Sequence, residues 1–379
     1  MKIIIVGAGI SGLSLAYFLQ QKGFDILVLE RDDKFDSERQ GFSLTMQNKT
    51  EKIFKEYGLL DEIKSLGCPA NKQIFYIHSG STLYENYNND KDRFNYPLPR
   101  QELRKVFFNK LKPGTVEFGI KITNIKLVDD VTILVSDSKE YIADYVIACD
   151  GINSICRKTF LPSVVTSDLF LCNVYGITDL TQVQEETKEI FNKSEIQVLD
   201  GKHRFFSKPF NSDKQMWELT WPIDDTIFIE LYEKYNANQD VRAEALEACK
   251  DVVNSWTNLP WLQNFMSVTK TEDVIVHPLF DLDPTNIDVS KIPSTIILIG
   301  DALHAMSPYI GLGANESLYD SYELAKLFTT GINCDKLKDF YESMIMRTRK
   351  SVLRSRDNTK FYHTVDAIDK EKLWKFKNW

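Results

Sequence analysis

The sequence predicts a mixed α/β protein, in which a parallel sheet is interrupted by a largely antiparallel one and followed by C-terminal helix. Three observations carry that expectation. A strand, glycine turn, helix and second strand fill residues 2–31. Two later apolar runs end on Asp150-Gly151 and Gly300-Asp301. Between them lies an aromatic-rich stretch, residues 165–275, with the alternation of strands. A chain of 379 residues can bury one or two cores. The net charge of −8 argues against a nucleic-acid partner, which would call for a basic face.

The first unit begins with Ile3 to Val6, a β-branched run of the kind that forms buried parallel strands. Gly7-Ala8-Gly9-Ile10-Ser11-Gly12 follows with G-x-G-x-x-G spacing, then a helix with Leu13, Ala16, Tyr17 and Leu19 on its apolar positions and Gly23 as its cap. A second strand, Ile26 to Leu29, ends on Glu30. Gly7 suits a tight turn, Gly9 lets backbone approach a pyrophosphate, and Gly12 lets the helix pack closely on the strand. The pyrophosphate is expected at the helix N-terminus, with Glu30 accepting the adenosine ribose hydroxyls. The unit as a whole is read as a dinucleotide site.

After the polar segment Arg31 to Gln40, Gly41 either admits a ligand close to backbone or only shapes a turn. Helices are expected from about Asn48 to Tyr57 and from Leu60 to Leu66, then a hairpin over Gln73 to Tyr84 around Ser79-Gly80. Residues 86–95 read as a surface loop. Arg100 opens a helix reaching about Lys110, either as a surface arginine or as a ligand contact. A β-meander is expected from Thr115 to Ile147, its last run ending on Asp150.

Strands are expected at Ile190 to Leu199, Arg204 to Pro209, Met216 to Pro222 and Ile227 to Tyr232, with a helix from Val241 to Trp256. This is the expected substrate region. The aromatic strands between Met216 and Tyr232 are expected to face the cofactor, with Trp217 and Tyr232 as pocket candidates. A third buried run, Ile296 to Gly300, leads through His304, read as structural, to a helix starting near Glu316. Residues 336–379 read as helical. The basic face from Arg347 to Lys360 is expected in solvent, and membrane contact is not expected. Six scattered cysteines without a C-x-x-C pair, and a first strand starting at residue 2, point to a cytoplasmic protein. No histidine has metal-ligand spacing.

Three strand ends of this kind in one chain resemble the class A flavin-dependent monooxygenases, which include the aromatic hydroxylases and tetracycline-modifying flavin enzymes. The resemblance implies a Rossmann-type FAD-binding domain with an inserted mixed or antiparallel β-sheet substrate domain and a C-terminal helix. Residues 1–70, 100–164 and 276–331 would form the FAD-binding parts, 71–99 and 165–275 the substrate parts, and 332–379 the helical end. It places Gly7, Gly9, Ile10, Ser11, Gly12, Glu30 and Arg31 around the ADP moiety. Arg100 would touch the middle of the cofactor, Asp150 the pyrophosphate region and Asp301 the ribityl or pyrophosphate region. Pro308, Gly311, Leu312, Gly313, Ala314 and Asn315 would lie against the flavin ring. Leu312 stands where the family often has Gln, which preserves a backbone contact and removes a polar side chain.

The amides of Leu312 to Asn315, opening a helix, would stabilise the negative charge of reduced flavin. The implied reaction takes electrons from NADPH or NADH, which binds transiently, and O2 through a flavin C4a-hydroperoxide to hydroxylate a small organic substrate, aromatic or polycyclic. Alternatives are a flavin-dependent reductase or halogenase of the same fold, or a non-enzymatic flavin- or NAD-binding regulator. The spacing of Trp217 and Trp221 departs from the halogenase signature W-x-W-x-I-P.

Overall fold

The computed structural model describes the chain apart from residues 37–42, 88–93, 129–130, 223–225, 238 and 378–379. Gly41 and part of the 86–95 stretch therefore lie outside the described residues.

Ile3–Val6 forms the centre of a five-stranded sheet in the order Ile296–Leu298, Tyr145–Ala148, Ile3–Val6, Ile26–Leu29 and Val116–Glu117, with every pairing parallel. Ile3, Ile4 and Ile5 are fully buried, as expected for a strand covered on both faces. The Ile10–Gln21 and Gly313–Thr329 helices pack against each other, and Ser321 Oγ donates to the Ser11 carbonyl at 2.9 Å. A meander of Ile122–Val128, Val131–Ser136 and Glu140–Ala143 flanks this layer. The expected meander is therefore shorter, because Val116–Glu117 joins the parallel sheet.

A seven-stranded mixed sheet runs Val274–Asp281, Ser167–Asp179, Lys214–Pro222, Arg204–Pro209, Ser194–Leu199, Lys72–Ile77 and Thr82–Tyr87. Its pairings are antiparallel except that between Ser194–Leu199 and Lys72–Ile77. Its two faces differ. Trp217, Leu219 and Phe205 enter a core shared with the Arg242–Ser255 and Pro260–Ser267 helices. Asn173, Arg204, Glu218 and Thr220 occupy the other face, as cross-strand register requires. Ser43–Gln47 and Asn95–Pro99 form a short ladder between the two large sheets, and Lys208 Nζ reaches Thr45 Oγ1 at 3.1 Å.

Two expected strands are corrected. Residues 227–232 lie in the Thr226–Asn236 helix, where Leu231 and Tyr235 fall four residues apart against the second core. Alternation in a short apolar run does not separate strand from helix. The strand expected from Ile190 starts at Ser194, because Glu185–Phe191 is a helix with two acids in its first turn and Thr187 and Phe191 buried on one side.

The Cys334–Phe361 helix crosses the molecule, and Lys370–Lys377 packs beside the Thr82–Tyr87 strand. Its basic side is not wholly in solvent: Arg347 pairs with Glu316 and Asp320, and Arg356 Nη2 meets Asp281 at 2.6 Å. Among the described residues no helix is long and apolar enough to cross a membrane.

Candidate active site

Parallel strands deliver the glycine turn, Asp150 and Gly300 to one edge of the sheet. Gly7 has φ of +100°, and a Cβ there would overlap the Cys149 carbonyl. The glycine turn is thus pressed onto the end of the Tyr145–Ala148 strand. Gly12 packs directly on the Gly7 carbonyl. Gly9 differs: the nearest atom to a Cβ there would be Arg100 Nη2 at 3.9 Å, so its outer side has room for a ligand. The first amides of the Ile10–Gln21 helix have no intrahelical acceptor and make this edge a place for an anion.

Glu30 is buried. Its Oε2 accepts from Ala8 N at 2.6 Å and its Oε1 from Asp32 N at 3.0 Å, so the carboxylate also fastens the glycine turn. Arg31 beside it is exposed. The turn is held from below by Arg104, only 1% exposed, whose Nε donates to the Ala8 carbonyl at 3.1 Å. Its Nη1 reaches Gln101 Oε1 at 2.6 Å, and its guanidinium lies 4.5 Å from the Phe35 ring centre. Nothing in the local pattern distinguished Arg104 from a surface arginine.

Arg100 is half-buried, and burial pulls its guanidinium pKa down against the pull of Asp301, Glu30 and Asp32. Asp150 Oδ2 accepts from Ile155 N at 2.8 Å, whereas Oδ1 is buried without a hydrogen-bond partner among the described residues. An acceptor left this way suits a ligand hydroxyl or a bridging water. Burial raises the Asp150 carboxyl, opposed by hydrogen bonds from Ser154 and Ile155 and by the charge of Arg157. Arg157, 2% exposed, ties two strand ends together by donating to the Ala302 carbonyl at 3.0 Å.

Asp301 is open to solvent at its own surface but closely ringed by protein. Desolvation raises its carboxyl, with His304 and Arg100 opposing. His304 is buried, with Nε2 2.6 Å from Asp320 Oδ2, which fits the structural role read from sequence. Pro308 and Gly311 are exposed, while Leu312, Gly313 and Ala314 are half-buried around the start of the Gly313–Thr329 helix. Asn315 is buried and its side chain is already engaged. Nδ2 donates to the Thr45 carbonyl at 2.8 Å, and Oδ1 accepts from Gln47 N at 2.9 Å. Only backbone at this position remains for a ligand.

The polar face of the seven-stranded sheet meets this edge through the Pro308–Ile310 turn. Arg204, 3% exposed, donates from Nε to Gln197 Oε1 at 2.8 Å and pairs with Glu218. Its guanidinium lies 4.6 Å from the Tyr309 ring centre. Asn173 Nδ2 donates to Tyr175 Oη at 2.8 Å, and Thr220 donates to Asn173 Oδ1. Tyr309 Oη and His363 Nε2 are 2.6 Å apart, and His363 Nδ1 donates to the Lys202 carbonyl at 2.6 Å, which leaves Nε2 as the acceptor for the tyrosine proton. Burial brings Lys208 down to about 8.

Trp217 and Tyr232, expected as pocket aromatics, lie elsewhere. Trp217 is fully buried on the opposite face, its Nε1 donating to Thr269 Oγ1 at 3.2 Å, and Tyr232 sits on the Thr226–Asn236 helix against the same core.

The sequence matches the family described as FAD binding domain over residues 1–227 and 294–354. It is 25% identical to the FAD-dependent monooxygenase atmM of Aspergillus flavus over 86% of this chain and 68% of the relative. Klebsiella pneumoniae HpxO complexed with FAD and uric acid superposes with a TM-score of 0.80 and 19% identity, covering 100% of this chain and 92% of that one. The 2,6-dihydroxypyridine-3-hydroxylase of Arthrobacter nicotinovorans gives a TM-score of 0.82 at 14% identity, over 96% and 93% of the two chains. Three strand ends meeting at one sheet edge, the family match over most of the length and the shared fold lead to one conclusion: the chain belongs to the FAD-binding-domain family, among the class A flavin-dependent monooxygenases.

Proposed function

We propose that the chain is an NADPH- or NADH-dependent FAD monooxygenase that inserts oxygen from O2 into a small aromatic or polycyclic substrate in the cytoplasm. The observation that carries the reading is the meeting of two differently built surfaces at the Pro308–Gly311 turn. One is an anion-ready edge of glycine turn, helix start and unpartnered Asp150 Oδ1. The other is a wall of buried polar side chains on an otherwise apolar sheet.

The residues present fit FAD. Gly7, Gly9, Ile10, Ser11 and Gly12 would receive the pyrophosphate, and Glu30 and Arg31 the adenosine end. Arg100, Asp150 and Asp301 would hold the middle of the cofactor. Pro308, Gly311, Leu312, Gly313, Ala314 and the Asn315 backbone would meet the ring. Bound FAD would supply the oxygen-activating redox chemistry. The chain's own part is to bind and orient that group, to keep water from the reacting atoms and to hold the substrate. Asn173, Tyr175, Arg204, Glu218 and Thr220, paired with one another, would present a polar surface to ring hydroxyls or ring N–H groups of a substrate. Only one dinucleotide fingerprint is present, so the nicotinamide cofactor would dock transiently. Two structural relatives, the one complexed with uric acid and the dihydroxypyridine hydroxylase, are consistent with a hydrogen-bonding ring as substrate.

The test is to reconstitute purified protein with FAD and follow NADPH and NADH consumption with oxygen uptake across hydroxylated and heteroaromatic compounds. Substrate-stimulated consumption with a product heavier by one oxygen supports the reading. Failure to bind FAD, or bound FAD with no oxygen incorporation into any compound, refutes it.

A further inference from the structure

The Gly313–Thr329 helix buries two carboxylates four residues apart, Glu316 at 3% and Asp320 at 0% exposure. Like charges so placed repel, and desolvating each costs several kcal/mol unless cations meet them. Partners arrive from three other elements, two of them bringing cations. Lys49, on the Asn48–Glu56 helix, places Nζ 2.7 Å from Glu316 Oε2 and 4.4 Å from the Tyr319 ring centre. Arg347, from the Cys334–Phe361 helix, bridges Glu316 and Asp320. His304 and the Gly300 amide both bond Asp320 Oδ2, at 2.6 and 3.0 Å.

Glu316 lies in the helix's first turn, directly behind the amides of Leu312 to Asn315. A bare carboxylate there would oppose the positive end of the helix for any anion bound in front of it. Two carboxylates against Lys49 and Arg347 bring the cluster close to neutrality and leave the helix end its field. The Asp320 contact to Gly300 meanwhile ties that helix to the strand end carrying Asp301.

We propose that Lys49 is a positioning residue for flavin electrostatics: by neutralising Glu316 it keeps the start of the Gly313–Thr329 helix attractive to the negative charge that reduced flavin acquires. This rests on that helix start being the flavin-ring segment. Lys49 acts through Glu316, the carboxylate it pairs with. Burial and the charge of Arg347 bring its ammonium down to about 8, Asp320 opposing, so the amine is desolvated as the ion pair demands.

The test is the midpoint potential of FAD-loaded protein at pH 7, measured by dye equilibration. Lys49→Met should keep FAD and lower the potential, disfavouring the reduced form about tenfold, which for a two-electron couple is about 30 mV. Glu316→Gln should shift it upward, and the double variant should return to within about threefold of wild type. An unshifted potential in FAD-loaded Lys49→Met overturns the proposal, as does a double variant as depressed as the single one. Should Lys49→Met lose its fold, Glu316→Gln decides: a potential that fails to rise overturns the proposal. Wild-type protein that takes up no FAD overturns the flavin reading and this inference together, whereas an unshifted potential with FAD bound overturns this inference alone.

Discussion

Gly9 and Gly12 stand three residues apart in the same turn, yet the structure gives them opposite roles. In an unconstrained helix interior, Gly→Ala stabilises by about 0.8–1 kcal/mol. At Gly12 the added Cβ would sit roughly 1 Å inside the 3.0 Å closest approach to the Gly7 carbonyl oxygen, a backbone atom that cannot swing away. The helix would have to leave the strand, and overpacking of this kind costs about 1–3 kcal/mol or more. Gly12→Ala should therefore lower the stability of the apo-protein by about 2 kcal/mol despite its better helix propensity. Gly9 has φ −72° and ψ −169°, which any residue adopts, and its Cβ would meet only Arg100 Nη2 in ordinary contact. Gly9→Ala should leave apo stability within about 1 kcal/mol, because a weaker N-cap is offset by a less flexible unfolded chain. Its methyl group would instead obstruct the pyrophosphate, weakening FAD by ~10- to 100-fold if the clash costs about 1–3 kcal/mol. Thermal unfolding of apo-protein and titration with FAD, followed by flavin fluorescence, separate the two effects. Gly12→Ala as stable as wild type, or Gly9→Ala that binds FAD normally, refutes the reasoning.

Asp301→Ala should reduce bound FAD by on the order of 1.5–3 kcal/mol of affinity, read from flavin absorbance after dialysis; full retention would remove Asp301 from the cofactor. Arg104→Met should cost about 1–3 kcal/mol in chemical denaturation, because the Ala8 carbonyl loses its buried donor, and should loosen FAD as well. Trp217→Ala should cost about 3–5 kcal/mol while FAD affinity and substrate preference persist, since the indole fills the core on the far face; a changed substrate preference would contradict that placement. His363 is brought down to about 4, chiefly by burial, against about 6.5 when unfolded. The unfolded chain therefore binds the extra proton between those values, and stability present above pH ~6.5 falls as pH drops towards ~4, by about 2 kcal/mol after allowing for the ring's partial exposure. His363→Gln should flatten that part of the stability–pH curve.

The arrangement of strand ends at the proposed cofactor edge was legible because its signals are local in the chain. A glycine triplet, an acid after the second strand, and Asp-Gly or Gly-Asp at strand ends each follow from the backbone conformation and close approach they serve. Gly7 at positive φ and Gly12 against the Gly7 carbonyl bear this out. The side proposed to meet substrate was harder to read, because alternation fixes which residues share a face and not which face meets which layer. Trp217, Leu219 and Glu218, Thr220 were separable into two sets from sequence; their burial partners decided that the indole belongs to the core. Residues 227–232 failed for a related reason, since a short apolar run satisfies strand and helix equally until Tyr235 and the flanking acids are counted.

What no local pattern could show is the pairing of buried charges across long sequence separations. Lys49 meets Glu316, Arg347 meets Glu316 and Asp320, Arg356 meets Asp281, and Arg204 meets Glu218. Each lysine or arginine reads in isolation as part of a solvated face. Buried ion pairs are weak contributors to stability, because desolvation consumes much of the Coulomb gain. Their geometry is nevertheless strict, since a displaced partner leaves a bare charge in the interior. In this chain three of these four basic residues, Lys49, Arg347 and Arg204, fasten segments that border the proposed site: the helix start after Leu312, the strand end at Gly300 and the sheet face behind Tyr309. A hydrophobic core would hold those segments together with more tolerance for sliding. The charge pairs hold them in register, and the proposed oxygen transfer would demand register between flavin and substrate above all.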